Sequence, residues 1–330
     1  MTDISAKQIR IHAYGDPACM KYEQVDAPVV GEDEVLIQQK AIGVNYLDTY
    51  HRRGVFPIQE LPGVLGVEGA GIVGAVGANV KDFQPGDRVS YAAPIVGSYT
   101  DVRVLPSRFL VKLPSKITFE QAAAVTLQGL TAHMLVNRVR ILSPGQTALV
   151  HAAAGGLGLI LCQWLAHIGV RVIGTVGSEE KAKLALSHGC SDVILYRDQN
   201  FVDETARLTN GEGVDVVYEG LGGDVLDRSL DCLKPFGTAV NLGQVADNLP
   251  SIDISRLGPQ RALTLAVPGI FAHIRTCPSL QNAADELFGL VRSGVIKVHI
   301  GGRYPLPEAA QAHRDLASRT TTGSLVLIPE

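Results

Sequence analysis

The chain has 330 residues, of which 46% are hydrophobic and 19% are charged, and its formal net charge is −4. This length allows two domains with separate cores, and the composition is typical of a soluble globular protein. No run of Lys or Arg is longer than the pair Arg52-Arg53, which argues against a nucleic-acid or anionic-membrane surface.

The N-terminal segment and the cysteines indicate the compartment. The first ten residues contain no apolar core, and no apolar run is long enough for a bilayer, so neither a secretory signal nor a membrane span is predicted. The five cysteines are Cys19, Cys162, Cys190, Cys232 and Cys277. They are scattered and form no C-x-x-C pair, which favours reduced thiols in the cytoplasm over disulfides or a zinc lobe.

Residues 1–120 are predicted to be mainly β-structure, because short strands at this spacing suggest a barrel or sandwich. The predicted strands cover residues 7–12, 34–42, 71–77, 88–91 and 98–104. Helical patterns follow at residues 118–124, where Thr118 is a candidate N-cap, and at residues 129–138.

From residue 147 onward, predicted strands alternate with short helices. The first strand begins at residue 147 in an apolar run that ends in small residues. The other strands cover residues 171–176, 192–196, 214–219, 237–243 and 263–267, and the helices cover residues 159–166, 179–188, 201–208 and 226–232. This alternation predicts an α/β fold with a parallel, doubly wound sheet. A helix at 280–293 and a strand at 324–328 would return the chain to the first domain. Strand 263–267, if it lies at the sheet edge, is a natural surface for pairing with a second subunit.

A turn of small residues follows the strand that begins at residue 147. The segment His151-Ala152-Ala153-Ala154-Gly155-Gly156-Leu157-Gly158 approximates the G-x-G-x-x-G dinucleotide-binding pattern, with Ala153 in place of the first glycine. The helix start at 155–158 would offer free N–H groups and a positive dipole end to phosphates. Taken alone, the pattern also fits a small-residue turn of any α/β protein. We interpret His151 as a satisfied histidine near the sheet end.

The next strand ends without the acidic residue that would hold the ribose 2′-hydroxyl of NAD. Gly177 occupies that position, and Lys181 and the pair Tyr196-Arg197 lie near it in the predicted fold. Cationic and hydroxyl donors there favour a 2′-phosphate and hence NADPH, although Lys181 also fits a solvated helix lysine and Tyr196 an ordinary strand-end aromatic. The residues predicted to bind the cofactor are Ala154, Gly155, Gly156, Leu157, Gly177, Ser178, Lys181, Tyr196, Gly220, Leu242, Gly243 and Gln244.

Several motifs together resemble one family. They are Gly43-Val44-Asn45-Tyr46-Leu47-Asp48-Thr49-Tyr50, Gly66-Val67-Glu68-Gly69-Ala70-Gly71, Pro85-Gly86-Asp87-Arg88-Val89, Gln128-Gly129-Leu130-Thr131-Ala132, Gly174-Thr175-Val176-Gly177 and Ser293-Gly294-Val295-Ile296-Lys297. With the glycine turn, they make the chain similar, nearly end to end, to the zinc-free NADPH:quinone oxidoreductases related to ζ-crystallin, within the medium-chain dehydrogenase/reductases. The resemblance implies a GroES-like catalytic domain at 1–124 and 269–330, a Rossmann NADPH-binding domain at 125–268, and a homodimer.

The resemblance also predicts that no metal takes part. Zinc-dependent relatives carry ligands at the positions of Asn45, Val67 and about Gln128, where this chain has an amide, a valine and an amide. Valine has no donor atom, and amides are poor zinc ligands. Glu68 and Arg88 are predicted to form an internal ion pair, and Trp164 and Cys162 to serve packing.

The implied activity is the reduction of a quinone by NADPH, with electrons leaving either as hydride or singly. The resemblance places Asn45, Tyr46, Tyr50, Gln128 and Thr131 beside the nicotinamide, where Asn45 would bond an oxygen and the tyrosines would stack on a flat ring or simply pack. Gln128 stands where close bacterial relatives would carry lysine. Two alternatives stay open: reduction of the activated double bond of an enone or alkenal, and a protein that only holds NADPH in a structural or nucleic-acid-binding role.

Overall fold

The computed structural model describes residues 5–249, 251–276 and 279–330. They divide into two compact units: Met1–Leu130 with Thr276–Arg292 and Val298–Glu330 form the first, and Thr131–Arg275 with Ser293–Lys297 form the second. Both units therefore contain segments that are distant in sequence. The predicted domain boundaries at 124/125 and 268/269 stay a prediction, and Cys277 lies outside the described residues.

The first unit is built mainly from strands. Its strands are β1 (Ser5–Ile11), β2 (Met20–Asp26), β3 (Glu34–Val44), β4 (Gly63–Val64), β5 (Glu68–Val76), β6 (Arg88–Ala92), β7 (Val102–Pro106), β8 (Leu110–Lys112), β15 (Ile300–Pro305) and β16 (Ser324–Ile328). A seven-stranded sheet has the order β15-β16-β3-β5-β6-β8, with β7 paired to β3, and a second sheet has the order β2-β1-β4.

Four helices complete or border this unit. They are α1 (Tyr46–Arg53), α2 (Phe119–Met134), α8 (Leu280–Arg292) and α9 (Ala309–Ala317). One core cluster joins strands and helix, since Ile42, Leu325 and Leu327 pack with Ala309 and Leu316. Because β16 pairs with β3 antiparallel over Leu325 to Leu327, the C-terminal strand is an integral part of the first sheet.

The second unit has the predicted parallel sheet. Its strands are β9 (Thr147–Val150), β10 (Arg171–Val176), β11 (Asp192–Leu195), β12 (Val214–Glu219), β13 (Leu233–Asn241) and β14 (Thr264–Ala266), and its helices are α3 (Gly156–His167), α4 (Glu179–Leu186), α5 (Phe201–Leu208), α6 (Gly223–Ser229) and α7 (Ile270–Thr276). The strand order is β11-β10-β9-β12-β13-β14, and every pairing is parallel. The interior strands are continuously buried, as expected for a sheet covered on both faces.

Two of the differences between the predicted and the observed elements have a clear physical reason. The predicted strand 98–104 begins only at Val102, because the Gln39 side chain donates to the carbonyl oxygens of Ser98 and Thr100, each at 2.7 Å. The two predicted helices 118–124 and 129–138 form one continuous helix, α2, followed by a short π-helical segment at Leu135–Val139. Gly129 does not break α2, and its missing Cβ leaves space for the Leu287 side chain. Within the described ranges, no helix has both the length and the apolar character needed to cross a bilayer.

Candidate active site

The turn between β9 and α3, predicted to bind phosphate, consists of small residues packed closely on the helix start. Gly155 is the N-cap of α3 and has an extended backbone. Because glycine has no side chain, it makes no capping hydrogen bond to the first N–H groups of the helix. A Cβ at Gly158 would overlap the carbonyl oxygen of Ala152, so only glycine allows the helix to pack this closely on the turn. The start of α3 therefore directs backbone N–H groups and the positive end of its dipole outward from the sheet end.

His151 lies at the end of β9 and is fully engaged inside the second unit. Its Nδ1 lies 2.9 Å from Thr175 Oγ1, and its Nε2 lies 3.1 Å from Ser229 Oγ. Burial, together with the charge of Arg228, lowers the pKa of His151 to about 3, so the ring is neutral. This confirms the interpretation of His151 as a satisfied histidine.

Two cationic side chains, Lys181 of α4 and Arg197 after β11, lie near the end of β10. A Cβ at Gly177 would lie 2.7 Å from the Tyr196 hydroxyl and 3.3 Å from Arg197 Nε, so both side chains extend over this glycine. Ser178 caps α4 by accepting from the backbone N of Lys181 at 3.4 Å. Burial and the charge of Arg197 lower the pKa of Lys181 below its ordinary value. An anion bound near both side chains would offset the effect of the Arg197 charge on Lys181, and a 2′-phosphate fits this donor set.

The loops after β12 and β13 are held by a buried acid. Glu219 accepts from the backbone N of Leu221 and of Gly222 (2.7 Å) and from Asn241 Nδ2 (2.8 Å). Asn241 Nδ2 also donates to the carbonyl oxygen of Gly243 at 2.8 Å. Glu219 and Asn241 thus fix the backbone of two loops that contain the predicted cofactor residues Gly220, Leu242, Gly243 and Gln244.

In the first unit, helix α1 positions Asn45. The helix begins after Asn45, whose backbone N donates to Asp48 Oδ2 at 2.8 Å, as in a capping box. The Asn45 side chain is bound from two sides: Nδ2 donates to Glu68 Oε2 at 2.9 Å, and Oδ1 accepts from Gln128 Nε2 at 3.3 Å. The structure thus brings together Asn45 and Gln128, two of the predicted catalytic residues.

Glu68 and Arg88 do not form the predicted ion pair. Glu68 instead accepts from Asn45 and, through Oε1, from the backbone N of Leu127 at 2.6 Å. Arg88 donates to the carbonyl oxygens of Pro114, Ser115 and Ile117. The prediction was wrong because the loop before α2 supplies three carbonyl acceptors for the guanidinium, while Glu68 is turned into the interior.

The remaining predicted residues have different surroundings. The Tyr46 hydroxyl donates to the carbonyl oxygen of Leu316 at 2.9 Å, which ties α1 to α9. Tyr50 is buried and packs edge-to-face on Phe56, with ring centroids 5.5 Å apart. Thr131 follows Gln128 by one turn of α2 and belongs to the second unit. Their roles toward a substrate stay predictions.

A second buried network surrounds Asp48. The Tyr99 hydroxyl donates to Asp48 Oδ2 at 3.0 Å and lies 2.8 Å from His313 Nε2, and His313 Nδ1 lies 3.0 Å from Arg52 Nη1. Burial raises the pKa of Asp48 to about 7 and that of Glu68 to about 8, although hydrogen bonds to both carboxyl groups oppose the shift. Burial and Arg52 lower the pKa of His313 to about 3.

Comparison with known proteins identifies the family. Residues 31–115 match the alcohol dehydrogenase GroES-like domain, and residues 156–272 match the zinc-binding dehydrogenase family. A quinone oxidoreductase of Pseudomonas aeruginosa is 44% identical over 98% of this chain and 100% of its own length. The chain belongs to the quinone oxidoreductases of the medium-chain dehydrogenase/reductase superfamily.

One solved structure and a second relative extend this comparison. The crystal structure of Escherichia coli quinone oxidoreductase complexed with NADPH is 41% identical and superposes with a TM-score of 0.95, covering 98% of this chain and 100% of that one. A 2-haloacrylate reductase of a Burkholderia species is 38% identical over 97% of this chain and 98% of the relative. The GroES-like and Rossmann fold expected from the sequence is therefore confirmed for this quinone oxidoreductase family member.

The match to a zinc-binding dehydrogenase family covers only the segment 156–272, which excludes positions 45, 67 and 128. Across residues 5–249, 251–276 and 279–330, the structure contains no group of three or more His, Cys, Asp or Glu side chains arranged to hold a metal ion. Val67 is fully buried, and Asn45 and Gln128 hydrogen-bond to each other. The metal-free site stays a prediction of the sequence.

Sequence reasoning missed several residues that build the site. Asp48, Tyr99 and His313 form a buried network at α1, and Glu219 and Asn241 hold the loops that contain predicted cofactor residues. The signal for α1 was available, since Asn45 followed by Asp48 three residues later is a capping-box pattern. No local signal identifies His313, because its partners Tyr99 and Arg52 are more than two hundred residues away in sequence.

Proposed function

We propose that this protein is an NADPH-dependent quinone reductase. The observation that carries the proposal is full-length identity of 44% and 41% with two quinone oxidoreductases, one of which has been solved with NADPH. NADPH, when bound, supplies the reducing equivalents. The second unit contributes the phosphate turn at Gly155–Gly158, the cations Lys181 and Arg197, and the two loops held by Glu219.

The acceptor side of the proposal rests on Asn45 and Gln128. Their amides are held by hydrogen bonds and offer N–H donors for a carbonyl oxygen on which negative charge develops. A quinone is already electrophilic, and its reduced oxygen can take a proton from water, so a strong general acid is not required. Tyr46, Tyr50 and Thr131 are proposed to shape the surface around the acceptor.

A second candidate function is reduction of the activated carbon–carbon double bond of a 2-haloacrylate or an alkenal. It is favoured by the 38% identity with the 2-haloacrylate reductase, which spans nearly the whole of both chains. The two activities would use the same cofactor side, so the acceptor alone distinguishes them.

Oxidation of NADPH by a panel of acceptors tests the proposal. The panel contains 9,10-phenanthrenequinone, a p-benzoquinone, 2-chloroacrylate and a 2-alkenal, with NADH in parallel and a chelator added to one series. We expect turnover with the quinones, a preference for NADPH and no effect of the chelator.

Turnover with 2-chloroacrylate or the alkenal alone would replace the proposal by the second candidate function. Binding of NADPH without oxidation by any acceptor would reject both and leave a protein that only holds the cofactor.

We also propose a homodimer that forms through β14. This strand is the last in the six-stranded sheet and, among the described residues, is paired only with β13; Val267 just after it is 63% exposed. An open strand edge can pair with the same edge of a second copy about a two-fold axis. A cytoplasmic location is proposed from the scattered cysteines, of which Cys19, Cys162, Cys190 and Cys232 are free thiols.

Light scattering on wild type and two matched variants tests the dimer. Val267→Lys places two like charges across the proposed interface and is expected to yield monomers. Val29→Lys, at an exposed valine of the first unit, should leave the dimer intact. A wild-type mass of one chain, or a dimeric Val267→Lys protein, would count against the β14 interface.

A further inference from the structure

Four polar side chains of the first unit form one continuous hydrogen-bonded run, which we call the amide chain. Ser324 Oγ donates to Gln128 Oε1 at 2.9 Å, Gln128 Nε2 donates to Asn45 Oδ1 at 3.3 Å, and Asn45 Nδ2 donates to Glu68 Oε2 at 2.9 Å. Every donor in the amide chain points toward Glu68. Ser324, Asn45 and Glu68 are buried, so the groups have few competing water contacts.

The direction of the amide chain is not set at its Ser324 end. The Ser324 hydroxyl also lies 2.7 Å from the carbonyl oxygen of Ala124. A hydroxyl can rotate its single hydrogen to either acceptor, and its oxygen can accept in turn. Ser324 therefore tolerates either orientation of the Gln128 amide.

Once it is ionised, above about pH 8, Glu68 is the member of the amide chain that cannot adapt. An ionised carboxylate only accepts hydrogen bonds, and its two oxygens receive the backbone N of Leu127 and the Asn45 side chain. The carboxylate also packs closely on Gly43, where a Cβ would overlap both Glu68 Oε2 and the carbonyl oxygen of Ala123. Because Glu68 Oε2 can only accept, the Asn45 amide must turn its Nδ2 toward Glu68. Asn45 Oδ1 then faces Gln128, whose amide must turn its Nε2 toward Asn45.

Asn45 keeps one hydrogen beyond this run. Its Nδ2 carries two hydrogens, of which Glu68 takes one. Its backbone is held by Asp48, so the side chain cannot move away by a shift of the main chain. The orientation imposed by Glu68 thus leaves an N–H donor of fixed direction on Asn45, whereas the opposite orientation would leave a carbonyl oxygen.

We propose that Glu68 is a positioning residue: through the amide chain it sets the direction of Asn45 and Gln128, so that Asn45 offers an N–H to a carbonyl oxygen of the acceptor. This proposal rests on the proposed quinone reduction. An N–H held toward an oxygen stabilises the negative charge that develops there during reduction, whereas a carbonyl oxygen in its place would repel that charge.

The variant E68Q tests the proposal. Glutamine has the shape of glutamate but only one acceptor oxygen, which the backbone N of Leu127 retains. Its NH₂ then faces Asn45, whose amide must turn over to accept, and Gln128 turns over in response. At about pH 9, where Glu68 is ionised, we expect kcat with 9,10-phenanthrenequinone to fall at least about tenfold, while the KM for NADPH stays unchanged and the melting temperature does not fall.

The matched control is D215N, which makes the same carboxylate-to-amide change at a buried site of the second unit. Asp215 accepts from the backbone N of Thr147 at 2.9 Å and pairs with Lys234, at the start of β9 and β12, where the sheet carries none of the proposed site residues. We expect D215N to lower stability and to leave kcat unchanged. A fall in kcat for E68Q that follows only from lost stability would be matched by D215N, and that result would overturn the proposal.

A pH profile gives a readout that a merely structural role would not move. The groups that act on the Glu68 charge are Asp48 from α1 and the phenols of Tyr91 and Tyr99, and α2 contributes backbone N–H donors from Thr126 and Leu127. Protonation gives Glu68 a hydrogen to donate and weakens its control of direction. We expect wild-type kcat to fall on acidification through about pH 8, the value to which burial raises the pKa of Glu68, and the E68Q profile to be flat there.

The NMR resonances of the side-chain amides test the orienting role of Glu68 without any measurement of activity. The resonances of Asn45 and Gln128, assigned by their loss in N45D and Q128E, should both shift in E68Q in the absence of NADPH and quinone. Unshifted resonances, or an E68Q protein with wild-type kcat, would overturn the positioning role. A wild-type protein that oxidises no NADPH with any acceptor would reject the proposed function, and the resonances would still decide whether Glu68 orients the amides.

Discussion

Replacing both Lys181 and Arg197 by alanine is expected to raise the Kd for NADPH about a hundredfold and to leave the Kd for NADH nearly unchanged. A hydrogen bond to a charged group contributes about 1.5–3 kcal/mol, and each 1.4 kcal/mol changes affinity about tenfold. These two cations lie close enough for Arg197 to lower the pKa of Lys181, so a dianionic phosphate between them would relieve their repulsion. Isothermal titration with each cofactor, without any quinone, measures the effect directly.

Single variants and a matched control separate the contributions to this selectivity. Lys183→Ala changes an exposed lysine two residues away on the same helix, α4, and should leave both affinities unchanged. Tyr196→Phe removes only the hydroxyl that extends over Gly177. An equal loss of NADPH and NADH affinity in the double variant would show that the cations act on a part common to both cofactors. Unchanged NADPH affinity would remove them from the cofactor site.

The stability of the protein is expected to be highest between about pH 4.5 and pH 6.5. His151 and His313 have lowered pKa values of about 3, so the unfolded chain binds more protons than the folded one below about pH 6.5. Asp48 and Glu68 have raised pKa values of about 7 and 8, so the folded chain binds more protons than the unfolded one between about pH 4 and pH 8. The two effects cancel where both operate.

Outside that window the free energy of unfolding is expected to fall on both sides. Above about pH 6.5 the histidines no longer contribute. For each of the two acids, the free energy of unfolding then falls by about 1.4 kcal/mol per pH unit until the pH reaches the pKa of that acid in the folded chain, about 7 for Asp48 and about 8 for Glu68. Below about pH 4 the acids are protonated in both states, and the buried histidines must still be charged at a cost. Urea unfolding at a series of pH values gives the profile.

The variant Asp48→Asn tests the alkaline side of that profile. The amide oxygen can still accept from the backbone N of Asn45 and from the Tyr99 hydroxyl, and among the described residues Asp48 Oδ1 has no hydrogen-bond partner to lose. We expect a gain on the order of 2 kcal/mol at about pH 8 and a shallower decline. D215N is the opposite control, since Lys234 and the other donors around Asp215 outweigh burial and lower its pKa, and its loss should cost stability at neutral pH. An unchanged slope in Asp48→Asn would refute the assignment.

The elements of the second unit were predicted well because the signals for them lie within short stretches of the sequence. The strands of this sheet are rich in apolar and β-branched residues and are bounded by turn residues, so β10 and β12 were predicted with their observed bounds and β9 with its observed start. Ser178 and the glycine turn directly precede the helices α4 and α3 and mark where they begin. The final strand, β16, was also found with its observed bounds, Ser324 to Ile328.

The first unit was predicted less well because its site depends on buried polar residues. Helix α1 has five buried residues, and four of them, Asp48, Thr49, His51 and Arg52, are polar, so apolar periodicity gives no signal for it. The proximity of Asn45 and Gln128 came from the family resemblance, and no spacing in the chain predicts it. Pairing of Glu68 with Asn45 in place of Arg88 depends on which face of β5 is buried, which the glycine-rich sequence of that strand does not specify.

The place of β16 in the first sheet has a consequence for synthesis on the ribosome. Strand β3 near the N-terminus pairs with a strand that is made about three hundred residues later, and Ser324 of that strand supplies one end of the amide chain. The β9–β14 sheet is encoded without interruption between these two partners. We therefore expect the nucleotide-binding sheet to form while the nascent chain is still growing, and the first sheet to close last, after a wait in which the edge of β3 is exposed to chaperones.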